Sequence, residues 1–221
     1  RFYTIQQAGY YSQGSKWTTM GYSTIFGMIN SVGQPVFREA SEDRQRLQNI
    51  FRKLMRFTAF VSFPAMLGLA IVSQELIVIS ITEKWLPCVP VMQILCVWGA
   101  FMPISTLYSN LMNSIGRPNV YMWNTIALGI FQLLCVWGSY PYGLNIMLIV
   151  YTAANIFWLL IWHYFAHKHI GISLLNTLKD IAPYLIISVA VMTFTYWVAG
   201  YVKNIYLSLL AKIALAASLY I

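Results

Sequence analysis

Seven long apolar runs fill most of this chain, and the basic residues between them alternate loop by loop. Lys and Arg number six in 38–56, one in 114–118 and two in 167–182. The intervening loops carry one in 82–87, none in 139–143 and one in 200–204. A chain threaded back and forth through a bilayer keeps its basic loops on the cytoplasmic side. The pattern therefore makes hydrocarbon the solvent of these runs and places 36–56 inside.

The runs predict helices over about 10–35, 57–81, 87–113, 119–139, 144–166 and 183–200, with a seventh beginning near Tyr206. Pro64 and Gly68 are expected bends, and Pro183 is expected in a first helical turn. In hydrocarbon a helix satisfies every backbone donor and acceptor internally. The ten-residue alternation of an outer-membrane barrel is missing. The chain is 59% hydrophobic and 9% charged, against about 25% charged residues in a soluble domain. The expected fold is an all-α, polytopic transmembrane bundle of about seven helices. With the odd loops inside, the first helix descends from outside. Seven runs lacking a helix that first crosses from the cytoplasm suggest a fragment, residues 1–221 forming one lobe of a larger protein. Trp85, Trp137, Tyr142, Trp162, Tyr164, Tyr201 and Tyr206 fall near run boundaries, as in aromatic belts.

The loop 36–56 reads as a cytoplasmic, amphipathic, basic linker. Ser41 is its expected N-cap, with Glu42 and Asp43 in the first turn. Leu47, Ile50, Phe51 and Leu54 follow at helical spacing, and Arg44, Arg46, Arg52, Lys53 and Arg56 supply a basic face. Such a helix lies in the membrane surface, with anionic lipid headgroups as partners. No soluble domain is left to bind nucleic acid, so the net charge of +8 does not point there.

Helix one carries the richest constellation. Ser12, Lys16, Thr19, Ser23 and Asn30 fall within about 60° of one another on a helical wheel. Gly27 and Gln34 border the same stripe. A polar stripe is unfavourable against lipid and belongs on a cavity or a neighbouring helix. Lys16 sits about two turns inside the outer boundary, where a cation can meet an anionic group such as phosphate or let its stem snorkel to the headgroups. On helix three, Gly99, Pro103, Thr106, Asn110 and Asn113 lie within about 80°, either lining a cavity or packing a kink. Thr106, Asn110 and Asn113 join the helix-one residues as substrate-cavity candidates. Lys212 is a weaker pathway candidate.

No catalytic site and no cofactor emerge. Gly-rich phosphate loops, HExxH and GxSxG are absent. His163 and His167 are spaced i, i+4 with His169 nearby, but no acid completes a metal site, so no metal is expected. They read as polar residues at a cytoplasmic helix end. Cys88, Cys96 and Cys135 read as small apolar packing residues.

The segments GYYSQGSKW (9–17), QPVFREASEDRQRLQNIFRKLMRF (34–57), FPAMLGLA (63–70), EKWLPCVPVMQIL (83–95) and NLMNSIGRPN (110–119) resemble the C-terminal half of bacterial polysaccharide flippases. These form the polysaccharide-transporter family of the multidrug/oligosaccharidyl-lipid/polysaccharide exporter superfamily. The resemblance is densest over 9–119. It implies about fourteen helices in two rocking lobes, of which these would be the eighth to fourteenth. It further implies an inner-membrane transporter that flips undecaprenyl-diphosphate-linked oligosaccharide for surface polysaccharide, such as O-antigen or capsule, beside other polysaccharide-assembly membrane proteins. The alternatives are a multidrug or other small-molecule exporter of the same fold, a membrane polysaccharide polymerase or acyltransferase, or a purely structural membrane subunit.

Overall fold

The computed structural model describes residues 4–199 and 204–220. Among them are eight α-helices and no strand: α1 (Ile5–Glu39), α2 (Arg44–Ile71), α3 (Ser73–Ser80), α4 (Val89–Ser114), α5 (Pro118–Ser139), α6 (Leu144–Ile170), α7 (Leu174–Ala199) and α8 (Ile205–Tyr220). Short 3₁₀ turns at Glu83–Cys88 and Tyr140–Tyr142 precede α4 and α6. Five stretches are long and apolar enough to cross a membrane: α2, α4 with its preceding turn, α5 with its following turn, α6 and α7. The expected all-α bundle is borne out, its second run being split between α2 and α3.

Helix α4 is the axis of the fold. It packs against α1, α2 and α6; α7 lies on α2, α5 on α6, and α8 on α7, α2 and α3. Most of the side chains of α4 are buried, whereas α5 buries only Asn124 and Ser139. Trp123, Ile130, Leu133 and Trp137 on α5 are exposed, which suits a helix facing lipid.

The basic segment departs from the expected linker. It is the last turn of α1, a tight turn, and the first half of α2. Asp43, not Ser41, caps α2, accepting from the Gln45 and Arg46 amides at 2.9 and 3.1 Å. Ser41 instead donates to the Arg38 carbonyl at 2.7 Å and closes α1. Leu47 and Phe51 are fully buried in the protein's own core, in line with Met55, Ala59 and Phe63. The apolar face that reads as membrane-surface binding is therefore a core face. One stripe at i, i+4 serves either purpose, and only the presence of α1 and α4 decides it.

The second helix also differs. Helix α2 runs unbroken through Pro64 and Gly68 and stops at Ile71. The break falls where side chains take up the released carbonyls. Ser73 donates to Ala70 O at 2.7 Å, Gln93 to the same oxygen at 3.3 Å, and Lys212 Nζ to Ile71 O at 2.9 Å. Pro183 likewise lies inside α7, which begins at Leu174. A proline inside a helix removes one hydrogen bond without ending the helix when packing holds both sides.

Two features join the elements closely. Gly171, at φ +76°, ends α6 in the left-handed conformation that favours glycine, and Arg44 and Gln48 of α2 donate to the Ile170 carbonyl. Glycines permit near contact of α1 with α4 and of α4 with α2. A Cβ on Gly14 would stand 2.9 Å from Val91 Cγ1, and one on Gly99 2.5 Å from Met66 Cε. Small residues at helix interfaces are the usual means of close packing in membranes, where lipid gives no hydrophobic drive to association.

Candidate functional site: a neutral polar cavity and its mouth

The polar stripe of α1 divides along its length. Ser12, Lys16, Thr19 and Ser23 are exposed and touch no polar group of α4. Ser23 only returns its hydroxyl to Met20 O at 3.1 Å. The lower part does meet α4. Asn110 Nδ2 donates to Asn30 Oδ1 at 3.0 Å, and Gln34 Nε2 donates to Asn110 Oδ1 at 3.1 Å. Buried Asn110 is thus clamped between two amides one turn apart on α1. Thr106, a turn below Met102, spends its hydroxyl on that residue's carbonyl at 3.0 Å. Asn113 is exposed at the helix end.

The second stripe also splits. Gly99 faces Met66, Thr18 and Tyr22 and belongs to packing. Thr106, Asn110 and Asn113 line a cavity of about 530 Å³ between α1, α4, α5 and α6, together with Asn30 and Gln34. Its far wall is supplied by Trp162 and by residues that the sequence pattern did not single out: Tyr121, Thr125, Gln132, Tyr151 and Asn155. Gln132 donates to Asn155 at 2.8 Å, and Asn155 donates to Tyr151 O at 2.8 Å. Below them Trp158 donates to Asn124 at 2.7 Å. Each of these amides is a polar residue inside an apolar run, which in a membrane helix turns toward the bundle interior or a cavity rather than lipid.

Among the described residues, no charged side chain lines this cavity. Its walls offer amides and hydroxyls, which both donate and accept, beside the aromatic faces of Trp98, Tyr121 and Trp162. Trp162 is buried and stacks near Tyr121 with ring centroids 6.3 Å apart. It is therefore a cavity residue and not part of an aromatic belt. Trp137, Tyr142, Tyr164 and Tyr206 are exposed as a belt requires, and Tyr201 lies outside the described residues.

A second groove of about 710 Å³ opens at the α1–α2 end. It shares Asn30, Gln34 and Asn113 with the cavity and adds Arg38, Glu39 and Ser114. The two spaces form one polar path along α1.

The basic cluster is mostly engaged in ion pairs and caps. Arg46 meets Glu39 at 2.6 Å, and Arg52 holds buried Asp180 of α7 through Nε and Nη2 at 2.7 and 3.1 Å. Arg56 stands 3.7 Å from the same carboxylate. Arg44 caps α6 as described, which leaves exposed Lys53 as the member without such a contact. These residues fasten α2 to α6 and α7. His163 is buried, its Nδ1 hydrogen-bonded with the Tyr108 hydroxyl at 3.2 Å, and is a core residue of α6. Buried Lys212 pairs with Glu75 at 2.5 Å, and Ser208 donates to the same carboxylate oxygen at 2.9 Å. That pair pins α8 to α3.

The described residues thus form an all-α bundle with a neutral polar cavity open along one exposed helix face. Residues 1–90 match the family described as polysaccharide biosynthesis protein. The chain is 30% identical over 110 residues to a membrane protein in the cps region of Klebsiella pneumoniae, and 31% identical over 105 residues to the lipopolysaccharide biosynthesis protein WzxC of Escherichia coli K12. Those stretches are 49% and 47% of this chain but 23% and 21% of the relatives. Among solved structures its fold is similar to that of the lipid II flippase MurJ in an inward closed conformation. The TM-score is 0.76 at 18% identity, over 99% of this chain and 46% of that one. The chain thus spans less than half of each protein it matches, and MurJ is named a flippase, a transporter rather than an enzyme. The resemblance to polysaccharide flippases is borne out for a chain of partial length. With its five apolar membrane-length stretches, the chain is a multi-pass protein of the bacterial inner membrane.

Proposed function

We propose that this chain is the C-terminal lobe of a flippase that moves undecaprenyl-diphosphate-linked oligosaccharide across the inner membrane for surface polysaccharide synthesis. The neutral cavity between α1, α4, α5 and α6 takes the sugars. The observation that carries this reading is the set Asn30, Gln34, Asn110, Gln132 and Asn155, gathered from four helices around one uncharged space. Sugar hydroxyls need partners that donate and accept, and leaving such groups unpaired in hydrocarbon costs several kcal/mol. The α1–α2 turn lies on the cytoplasmic side, as the distribution of basic loops requires. The exposed Ser12, Lys16, Thr19 and Ser23 continue the path toward the outer leaflet. Lys53 meets anionic headgroups, and the lobe works beside other polysaccharide-assembly proteins.

The test is complementation of a deletion strain by the full-length protein and its Asn110→Leu variant, with membrane levels matched by blotting. Restored surface polysaccharide with the parent and strongly reduced export with Asn110→Leu are expected. Equal export by both would remove the cavity from the transport path.

A further inference from the structure

The cavity wall on α5 and α6 has a fixed hydrogen-bond polarity. Tyr151 O is a backbone carbonyl and can only accept, so the Asn155 side chain turns its nitrogen toward it, at 2.8 Å. The oxygen of buried Asn155 then accepts from Gln132 Nε2 at 2.8 Å. Gln132 is half-buried and lines the cavity. Its Oε1 takes no protein donor among the described residues. The α6 backbone thus decides which end of Gln132 is left for a solute: an acceptor oxygen and one spare N–H.

The surroundings of Gln132 are hostile to an anion. Among the described residues no Lys, Arg or His lines the cavity. Trp98, Tyr121 and Trp162 line it instead, and the face of an aromatic ring is its negative side. Such a face suits the C–H side of a pyranose ring and repels a carboxylate. An anionic sugar seated here would lose its water without meeting a cation, and an unpaired buried charge costs far more than a hydroxyl that finds an acceptor. A sugar hydroxyl or acetamido N–H supplies the donor that Gln132 Oε1 lacks. We infer that Gln132 is a specificity-determining residue: this wall admits an uncharged sugar unit that donates to Gln132 Oε1, and it rejects uronic acids and other anionic sugars. The inference rests on the function proposed above and deepens it by naming the class of sugar. Asn155 is the positioning residue, holding Gln132 in one orientation through the Tyr151 carbonyl.

The experiment measures equilibrium binding to full-length protein in nanodiscs of zwitterionic lipid. Two radiolabelled probes share carrier and diphosphate: undecaprenyl diphosphate bearing N-acetylglucosamine, and the same carrier bearing glucuronic acid. Their ratio of Kd values therefore reports the sugar seat alone. The parent should favour the neutral probe by about tenfold or more. Gln132→Lys should raise affinity for the glucuronate probe and narrow or invert the ratio, a gain that misfolding does not produce. Thr125→Lys, at an exposed lining position on the same wall, should do the same. Asn155→Leu lets Gln132 turn its nitrogen outward and should lower the ratio, whereas a merely structural defect lowers both affinities together. Equal affinity of the parent for both probes, or a ratio unmoved by both lysine variants, overturns the inference and leaves the transport reading standing. So does bare undecaprenyl diphosphate binding as tightly as the neutral probe. A parent that binds neither probe overturns the inference as well; if deletion of the gene also leaves surface polysaccharide intact, the transport reading falls with it.

Discussion

The two ends of the α1–α4 contact are built oppositely. Toward the start of α1, Gly14 sits so close to Val91 and the Met92 backbone of α4 that a methyl group has no room, and the buried Glu75–Lys212 pair fixes α8 to α3. Toward the end of α1, Asn30 and Gln34 hold Asn110 across a gap that opens into the cavity. One helix pair is thus tightly packed toward one end and opens into a polar cavity toward the other. The difference teaches that side-chain size sets where a lobe is rigid, and side-chain chemistry sets where it can receive a solute. In a bilayer both jobs fall to packing and polar contacts, because lipid is as apolar as leucine.

Breaking the closed end should cost most. Glu75→Ala leaves Lys212 buried without its carboxylate, a loss of about 3–5 kcal/mol. Thermal unfolding in detergent should show a large drop in Tm, and Lys212→Met in the same background should recover much of it. If Glu75→Ala melts with the parent, the pair is not what pins α8. Gly14→Leu drives a side chain into Val91 and the α4 backbone and should destabilise by about 1–3 kcal/mol, read as reduced Tm and membrane yield. A parent-like yield would show that α1 shifts freely on α4.

The open end should respond in function more than in stability. Asn110→Leu removes two side-chain hydrogen bonds, each worth about 0.6 kcal/mol within membranes. Its Tm should fall by only a few degrees while export falls strongly. A collapse of stability would make the amide clamp structural and erase the contrast between the ends. The smallest stability effect is expected at exposed Lys16: Lys16→Ala should leave Tm unchanged and slow export. Unimpaired export would remove Lys16 from the path.

Much of the architecture was legible along the chain. Continuous apolar runs of membrane length force helices whatever their neighbours, because an unpaired backbone group in hydrocarbon costs too much. The stripe on α1 was visible as a stripe, since periodicity needs only local geometry. Its partner was not: Gln132 and Asn155 lie on α5 and α6, and nothing in their own runs says that their faces turn toward Asn110. Glu75 and Lys212 are 137 residues apart; alone, Glu75 reads as an acid near a run boundary and Lys212 as a weaker pathway candidate, and neither run points to the other.

The basic segment marks the boundary best. Its amphipathic period and charge are properties of the sequence, and so is the helix. Whether Leu47 and Phe51 face lipid or protein was decided by α1 and α4, whose Phe37 and Tyr108 pack against Phe51. Whether Arg52 faces headgroups or Asp180 was decided by α7. Local covalent geometry and the solvent fix which segments become helices, so the sequence alone determined the helices, the membrane and the polar stripe. Only the tertiary structure decided which faces meet, because a helix face has no partner until another helix is placed against it.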